Sequence, residues 1–309
     1  MKNLTSFLVL AMLLGCGDGD GVGGTAGSGG AAGAGGAGGQ SFSQDPPLVI
    51  GGDERPAEVD IPTNYDPTVP HPLVIVLHGF GADGRVETGY MQLFNFVDEK
   101  QFVLVFPDGT LNDQGDRFWN ATAACCDPSD SVDDVGYLSG LIAEAQQTYN
   151  IDPKRVYLIG HSNGGFMSFR MACEASELIT AIVSLAGSTF DDPADCAPAT
   201  VPVSVLAVHG TADATIPYDG RPDLYPGAVE TTERFASAGG CDVFLPTDEG
   251  SVDLVPALDG AETDKLAYST DCDEGIDAAL WTINDGGHIP FFSTEFADMT
   301  TDWLFGHSR

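Results

Sequence analysis

From about Pro46 onward, short β-branched apolar runs recur between turn residues, at Leu73–Leu77, Phe102–Phe106, Val156–Ile159, Ile179–Leu185, Val203–Val208 and Ala279–Ile283. Runs this continuous, with no polar residue at every second position, predict strands buried on both faces. Between them the period changes. Asp134–Tyr149 gathers Leu138, Leu141, Ile142 and Ala145 on one helical face, and Asn163–Ala175 and Val229–Ala238 are further helices by the same criterion. Strands alternating with helices predict an α/β fold, with a mostly parallel central sheet covered by helices on both faces. Leu48–Gly51 and Ala57–Ile61 read as antiparallel strands added at one edge.

Ahead of this region the pattern is different. Lys2 precedes an apolar run from Leu4 to Leu14, too short to span a membrane and laid out as an export signal. Gly17–Gly39 is almost wholly Gly, Ala and Ser, cannot bury apolar surface, and predicts a flexible tether. Its Gly-x-Gly matches carry no phosphate-binding meaning, because no strand precedes them. Three segments follow: a leader over 1–15, a Gly/Ala-rich linker over 16–44, and one large domain over 45–309.

Charge narrows the possible partners. With 12 Lys+Arg against 46 Asp+Glu the chain carries a formal charge of −34. Such a surface repels phosphate backbones and anionic headgroups, which excludes nucleic acid as a partner and leaves a membrane only through an anchor. The acidic pairs Asp133/Asp134 and Asp191/Asp192 lack the alternating spacing of a calcium loop, so no metal site is expected. Asp133 and Asp134, just ahead of a helix, read as N-capping residues.

The strongest local signal is Gly160-His161-Ser162-Asn163-Gly164-Gly165, placed where a strand ends and a helix begins. This is the G-x-S-x-G elbow in its structural context: a strained turn lifts the serine above the sheet, and flanking glycines remove Cβ atoms that would collide. Serine needs a base. Of six histidines, His288 lies in a glycine-rich loop after the last strand, whereas His78 and His209 end strands and read as loop-packing residues. A carboxylate must hold the imidazole in its tautomer, and Asp213 after Val203–Val208 gives the order Ser…Asp…His, with Asp219 as competitor. The oxyanion needs backbone N–H donors, expected from Asn163 and from Phe80 in the His78-Gly79-Phe80-Gly81 loop. No organic cofactor or metal is called for by this chemistry.

From about Pro72 to His288 the chain resembles the polyhydroxybutyrate depolymerase/feruloyl esterase family of α/β-hydrolases, LpqC-like lipoproteins included. The resemblance rests on Val76-Leu77-His78-Gly79, Phe106-Pro107-Asp108-Gly109, Trp119-Asn120 with Cys125-Cys126, Val132-Asp133-Asp134-Val135-Gly136, the elbow, His209-Gly210-Thr211-Ala212-Asp213 and Gly287-His288. It implies the same triad, Ser162, Asp213 and His288, and hydrolysis of carboxylic esters. One departure is Ile289-Pro290-Phe291 after the histidine, where many relatives carry an aromatic-proline pair; it bears on the shape of the pocket. Leu13-Leu14-Gly15-Cys16 resembles a bacterial lipobox, which implies cleavage before Cys16, acylation of that residue, and an exported protein tethered to the cell envelope or released outside it.

Setting Cys16 aside leaves six of the seven cysteines, an even number suited to an oxidising compartment. Cys241 with Cys272 is the natural pair. Cys125 and Cys126 are then expected to pair separately with Cys173 and Cys196 in an undetermined order. Trp119 reads equally as a ring-stacking residue at the pocket mouth or as a core tryptophan. The sequence therefore predicts an exported serine esterase acting on a polyester of the polyhydroxybutyrate kind, or on a feruloylated or acetylated polysaccharide. A non-catalytic surface-binding lipoprotein on the same scaffold is the rival from another class.

Overall fold

Ten strands hydrogen-bond into a single sheet in a computed structural model that describes residues 40–125, 132–196 and 201–309. In chain order the elements begin with β1 (Val49–Ile50), β2 (Ala57–Asp60), β3 (His71–Leu77), α1 (Gly84–Tyr90), α2 (Val97–Lys100) and β4 (Val103–Pro107). A small ribbon follows, β5 (Thr110–Leu111) against β6 (Arg117–Phe118). Next come α3 (Asp134–Thr148), β7 (Ile151–His161), α4 (Asn163–Glu174), β8 (Ala181–Leu185) and β9 (Ser204–Gly210). A second ribbon pairs β10 (Gly220–Arg221) with β11 (Tyr225–Pro226), and α5 (Ala228–Ala238), β12 (Thr247–Val252), β13 (Thr263–Tyr268), β14 (Ala278–Ile283) and α6 (Thr294–Phe305) complete the chain.

The sheet order is β1-β2-β4-β3-β7-β8-β9-β14-β13-β12. Its centre, β4 through β14, is parallel, whereas the pairings β1–β2 and β2–β4 on one side and β14–β13 and β13–β12 on the other are antiparallel. The expected fold class and the antiparallel early edge both hold. Strand period divides the core in two. Leu73, Ile75 and Leu77 of β3 face a cluster with Leu138 and Leu141 of α3 and Phe166 and Phe169 of α4. Val74 and Val76 face the opposite cluster, with Met91, Phe96, Phe296 and Leu304. Every residue of β3, β4, β8 and β9 is buried, which is why these strands lack a polar residue at every second position. Residues Ser41–Arg309 form one compact unit.

Two antiparallel strands near the C-terminus had no sequence signal. β12 reads Thr-Asp-Glu-Gly-Ser-Val and is solvent-exposed over its first five positions, so nothing selects apolar residues there. It is the outermost strand on its side, with Asp248 and Glu249 on the open edge. Among the described residues two disulfides join Cys173 to Cys196 and Cys241 to Cys272. The second is as expected. The first corrects the expectation that each of its members pairs with Cys125 or Cys126: the segment after β8, with a short 3-10 turn at Pro193–Asp195, brings Cys196 back onto the end of α4, with Cα atoms 5.1 Å apart. Cys125 is also disulfide-bonded, and the pairing expected for Cys126 lies outside the described residues. Asp133 caps α3 by accepting from the Gly136 N–H at 2.7 Å. Asp134 does not cap: it is buried at the first helical position, paired with Arg55 at 2.8 Å and accepting from the Asn120 N–H. The leader, Cys16 and most of the linker lie outside the described residues.

Candidate active site

β7 delivers its last residue, His161, to the C-terminal end of the sheet, and α4 starts two residues later. Ser162 alone makes the turn, at φ 53° and ψ −117°, a left-handed conformation that side chains other than glycine adopt at a cost. The turn closes through the Ser162 N–H to the Leu185 carbonyl at 2.8 Å and the Phe166 N–H to the Ser162 carbonyl at 3.0 Å. Sterics fix the glycines on either side. A Cβ on Gly160 would run into the Gly164 carbonyl, and one on Gly164 into the Leu77 carbonyl at the end of β3.

Three side chains line up over this turn. Ser162 Oγ lies 2.9 Å from His288 Nε2, and His288 Nδ1 lies 2.7 Å from Asp213 Oδ2. Asp213 sits just past β9, and its Oδ1 accepts from the N–H groups of Thr215 and Ile216 at 2.8 and 2.9 Å. Burial pushes its carboxyl up, but hydrogen bonds from His209, His288 and the Ile216 amide outweigh this and hold it well below the ordinary carboxylate range. The histidine loop after β14 is stitched to the Asp213 loop: the Ala212 N–H donates to the Gly286 carbonyl at 2.9 Å, and the Asp285 N–H to Thr211 Oγ1 at 2.8 Å. Asp219, the competing carboxylate, makes no bond to His288. His209 is more than loop packing, since its Nε2 lies 3.5 Å from Asp213 Oδ2 while bonding the Ile216 carbonyl at 2.8 Å.

The backbone donors expected for an oxyanion stand beside the serine. Asn163 occupies the first helical position, where a backbone N–H has no partner within its own helix. Its side chain is locked away on Trp119, accepting from that residue's N–H at 2.6 Å and donating to its carbonyl at 2.9 Å. Among the described residues the Phe80 N–H has no protein acceptor, and Phe80 borders the same cavity as Ser162. That cavity holds about 500 Å³, and its wall is apolar, with Phe80, Val86, Tyr90, Ile216 and Ile289 around Ser162 and His288. Ile289, from the departure noted after the histidine, is 58% exposed at its rim.

Of its two expected roles, Trp119 takes that of a core tryptophan and not that of a substrate contact. It is fully buried, its Nε1–H donates to the His78 carbonyl at 3.1 Å, and its ring packs on His78, so it props the Phe80 loop from behind. His78 packs as expected, accepting from the Gly109 N–H at 2.8 Å. Sequence reasoning missed Glu87, buried in α1, whose Oε2 accepts from the Gly79 N–H at 3.0 Å and whose Oε1 lies 3.4 Å from His161 Nδ1. No pattern in the chain links these residues; they meet only because β3 and β7 are neighbours.

Comparison with known proteins bears on the family of the chain. A family model described as Phospholipase/Carboxylesterase matches residues 65–227. Feruloyl esterase B of Piromyces equi is 29% identical over 249 residues, 76% of this chain but 42% of that protein. The bifunctional acetylxylan esterase/xylanase XynS20E of Neocallimastix patriciarum is 29% identical over 254 residues, 82% of this chain and 33% of that protein. The chain thus spans less than half the length of either relative. A solved acetyl xylan esterase from Aspergillus awamori superposes with a TM-score of 0.60 at 16% identity, over 83% of this chain and 97% of that one, a likeness of fold. A ten-stranded α/β sheet with a strained serine at its elbow, and a family match over more than half its length, place the chain in the phospholipase/carboxylesterase family of α/β-hydrolases.

Proposed function

We propose that the protein is a serine esterase that cleaves carboxylic esters through an acyl-enzyme, with Ser162 as nucleophile, His288 as base and Asp213 as the group that orients it. The observation that carries this reading is the unbroken relay from Ser162 Oγ to His288 Nε2 and from His288 Nδ1 to Asp213, at 2.9 and 2.7 Å, at the floor of an open apolar cavity. His288 takes the hydroxyl proton as Oγ attacks the ester carbonyl, and returns it to the departing alcohol. The Asn163 and Phe80 amides face the charge that develops on the carbonyl oxygen. Water then enters with His288 again as base and releases the acid. Purified Ser162→Ala is expected to lose p-nitrophenyl acetate hydrolysis, and an unchanged rate would overturn the assignment. A fluorophosphonate probe that fails to label Ser162 would favour the non-catalytic lipoprotein.

For the natural ester, relatives named as feruloyl and acetylxylan esterases support an acyl group carried on polysaccharide. Ile289 at the edge of the cavity and the exposed Phe291 two residues further on favour a second reading, a polyester such as poly(3-hydroxybutyrate). Release from methyl ferulate, acetylated xylan and the polyester, compared on one preparation, separates these. We also propose export with removal of residues 1–15, acylation at Cys16 and a linker over 16–44 that holds the 45–309 domain off the envelope. The disulfides support an oxidising compartment. Cys16→Ala is expected to move the protein from the membrane fraction to the soluble one.

A further inference from the structure

Outside the triad, the wall of the cavity holds a buried acid and a buried base that the reaction does not use. Glu87 is 3% exposed and His161 is 5% exposed. Glu87 Oε2 accepts from the Gly79 N–H at 3.0 Å, and its Oε1 has no hydrogen bond and faces His161 Nδ1 at 3.4 Å. At the other end of the imidazole, Nε2 lies 2.9 Å from the backbone carbonyl of His288, and the two rings stand 5.0 Å apart.

Proton counting defines the state of this chain. A carbonyl oxygen only accepts, so His161 Nε2 carries hydrogen. A bare Nδ1 opposite a carboxylate would leave two acceptors facing each other away from water, so a second proton lies between Nδ1 and Oε1. Burial pulls the imidazole down, but the adjoining Glu87 carboxylate outweighs it and raises His161 above its ordinary value.

The bonds run from one working loop to the other. The Gly79 peptide precedes Phe80, which lines the cavity with Ser162, and the His288 carbonyl belongs to the residue that carries the base. The same helix makes a second tie to the base loop through Tyr90, whose hydroxyl donates to the Pro290 carbonyl at 2.9 Å, and the residue pair after it adds Gln92 Nε2 to the Phe292 carbonyl at 2.8 Å. Resting on the serine esterase reading above, we infer that Glu87 is a positioning residue, which through its bond to Gly79 and through His161 fixes the oxyanion loop and the His288 loop relative to each other.

Glu87→Leu and Glu87→Gln test this. The glutamine keeps an acceptor for the Gly79 N–H and offers an N–H to a neutral His161, so the geometry survives without the charge; the leucine removes both. Each variant is labelled to completion with a fluorophosphonate, and kcat is expressed per labelled serine. For Glu87→Leu a loss of about tenfold to a thousandfold in kcat is expected, because donors displaced from a developing oxyanion act in that range. KM for a short ester is expected to move by less than about threefold, since ground-state binding is untouched. Glu87→Gln is expected to recover most of that loss, which a merely structural acid would not require. A leucine variant with wild-type kcat per labelled serine, or a glutamine variant as slow as the leucine one, overturns the inference. If Glu87→Leu accumulates poorly, His161→Leu reads the other half of the chain under the same criteria. Wild-type protein that resists the label would instead overturn the esterase reading itself.

Discussion

At the scale of single residues, Asp213 does two things that can be separated. It is hydrogen-bonded to His288 Nδ1 at 2.7 Å, the contact that would orient the proposed base, and its carboxylate is better bonded in the folded protein than in the unfolded chain. Asp213→Asn is expected to lower kcat by about four orders of magnitude, because the amide favours the wrong imidazole tautomer. The stability effect carries a sign. A carboxyl held below its ordinary value in the native state contributes stability above about pH 4 that is lost as the pH falls through its folded value. The gap in urea midpoint between wild type and Asp213→Asn is therefore expected to be wider at pH 7 than at pH 3. A gap that does not narrow in acid would mean that the carboxylate is not preferentially bonded in the native state.

At the scale of elements, the elbow is a contact between β3, β7 and α4 rather than a property of one loop. Gly164 lies against the Leu77 carbonyl with no room for a methyl group. Gly164→Ala must therefore push α4 away from β3 or tilt the turn. We expect a loss of stability of about 1–3 kcal/mol, typical of forced overpacking, together with a fall in kcat as Ser162 moves off His288. Thermal unfolding and active-site titration read the two effects separately. This element was legible in the sequence because strand, glycines and helix follow one another within a few residues. So were the buried parallel strands, whose apolar runs leave no ambiguity about side. Two kinds of feature were not legible. β12 and β13 show solvent one or both of their faces, and α1 is only seven residues, too short to display a period. The Cys173–Cys196 pairing, the buried state of Trp119 and the Glu87–His161 contact depend on which distant segments the sheet order brings together, and spacing along a chain carries no record of that.

For the whole molecule, the Cys241–Cys272 bridge closes a loop with a sequence separation of 31 that contains β12 and β13 and ends just before β14. Because β14 carries the histidine loop, the crosslink limits how far the unfolded chain can wander on that side. Cys241→Ser with Cys272→Ser is expected to cost about 2–4 kcal/mol, read as a lower Tm in the absence of reductant, with kcat of the folded fraction retained. A Tm equal to that of the wild type would show that the bridge adds nothing to the native state.

Beyond that bridge, β12 leaves a row of backbone donors and acceptors unpaired at the limit of the sheet. An open edge of this kind is a template on which another copy can continue the ladder. In this protein two such edges approaching each other would bring Asp248 and Glu249 of both copies together on a molecule already carrying a charge of −34. Repulsion of that sort keeps the template unread, and it would matter most under the envelope tether proposed above. Asp248→Thr with Glu249→Thr is expected to add a concentration-dependent, faster-sedimenting species that the wild type lacks under the same low-salt conditions. Identical sedimentation of the two proteins would mean that the twist of the strand, and not its acid, is what stops the sheet from growing.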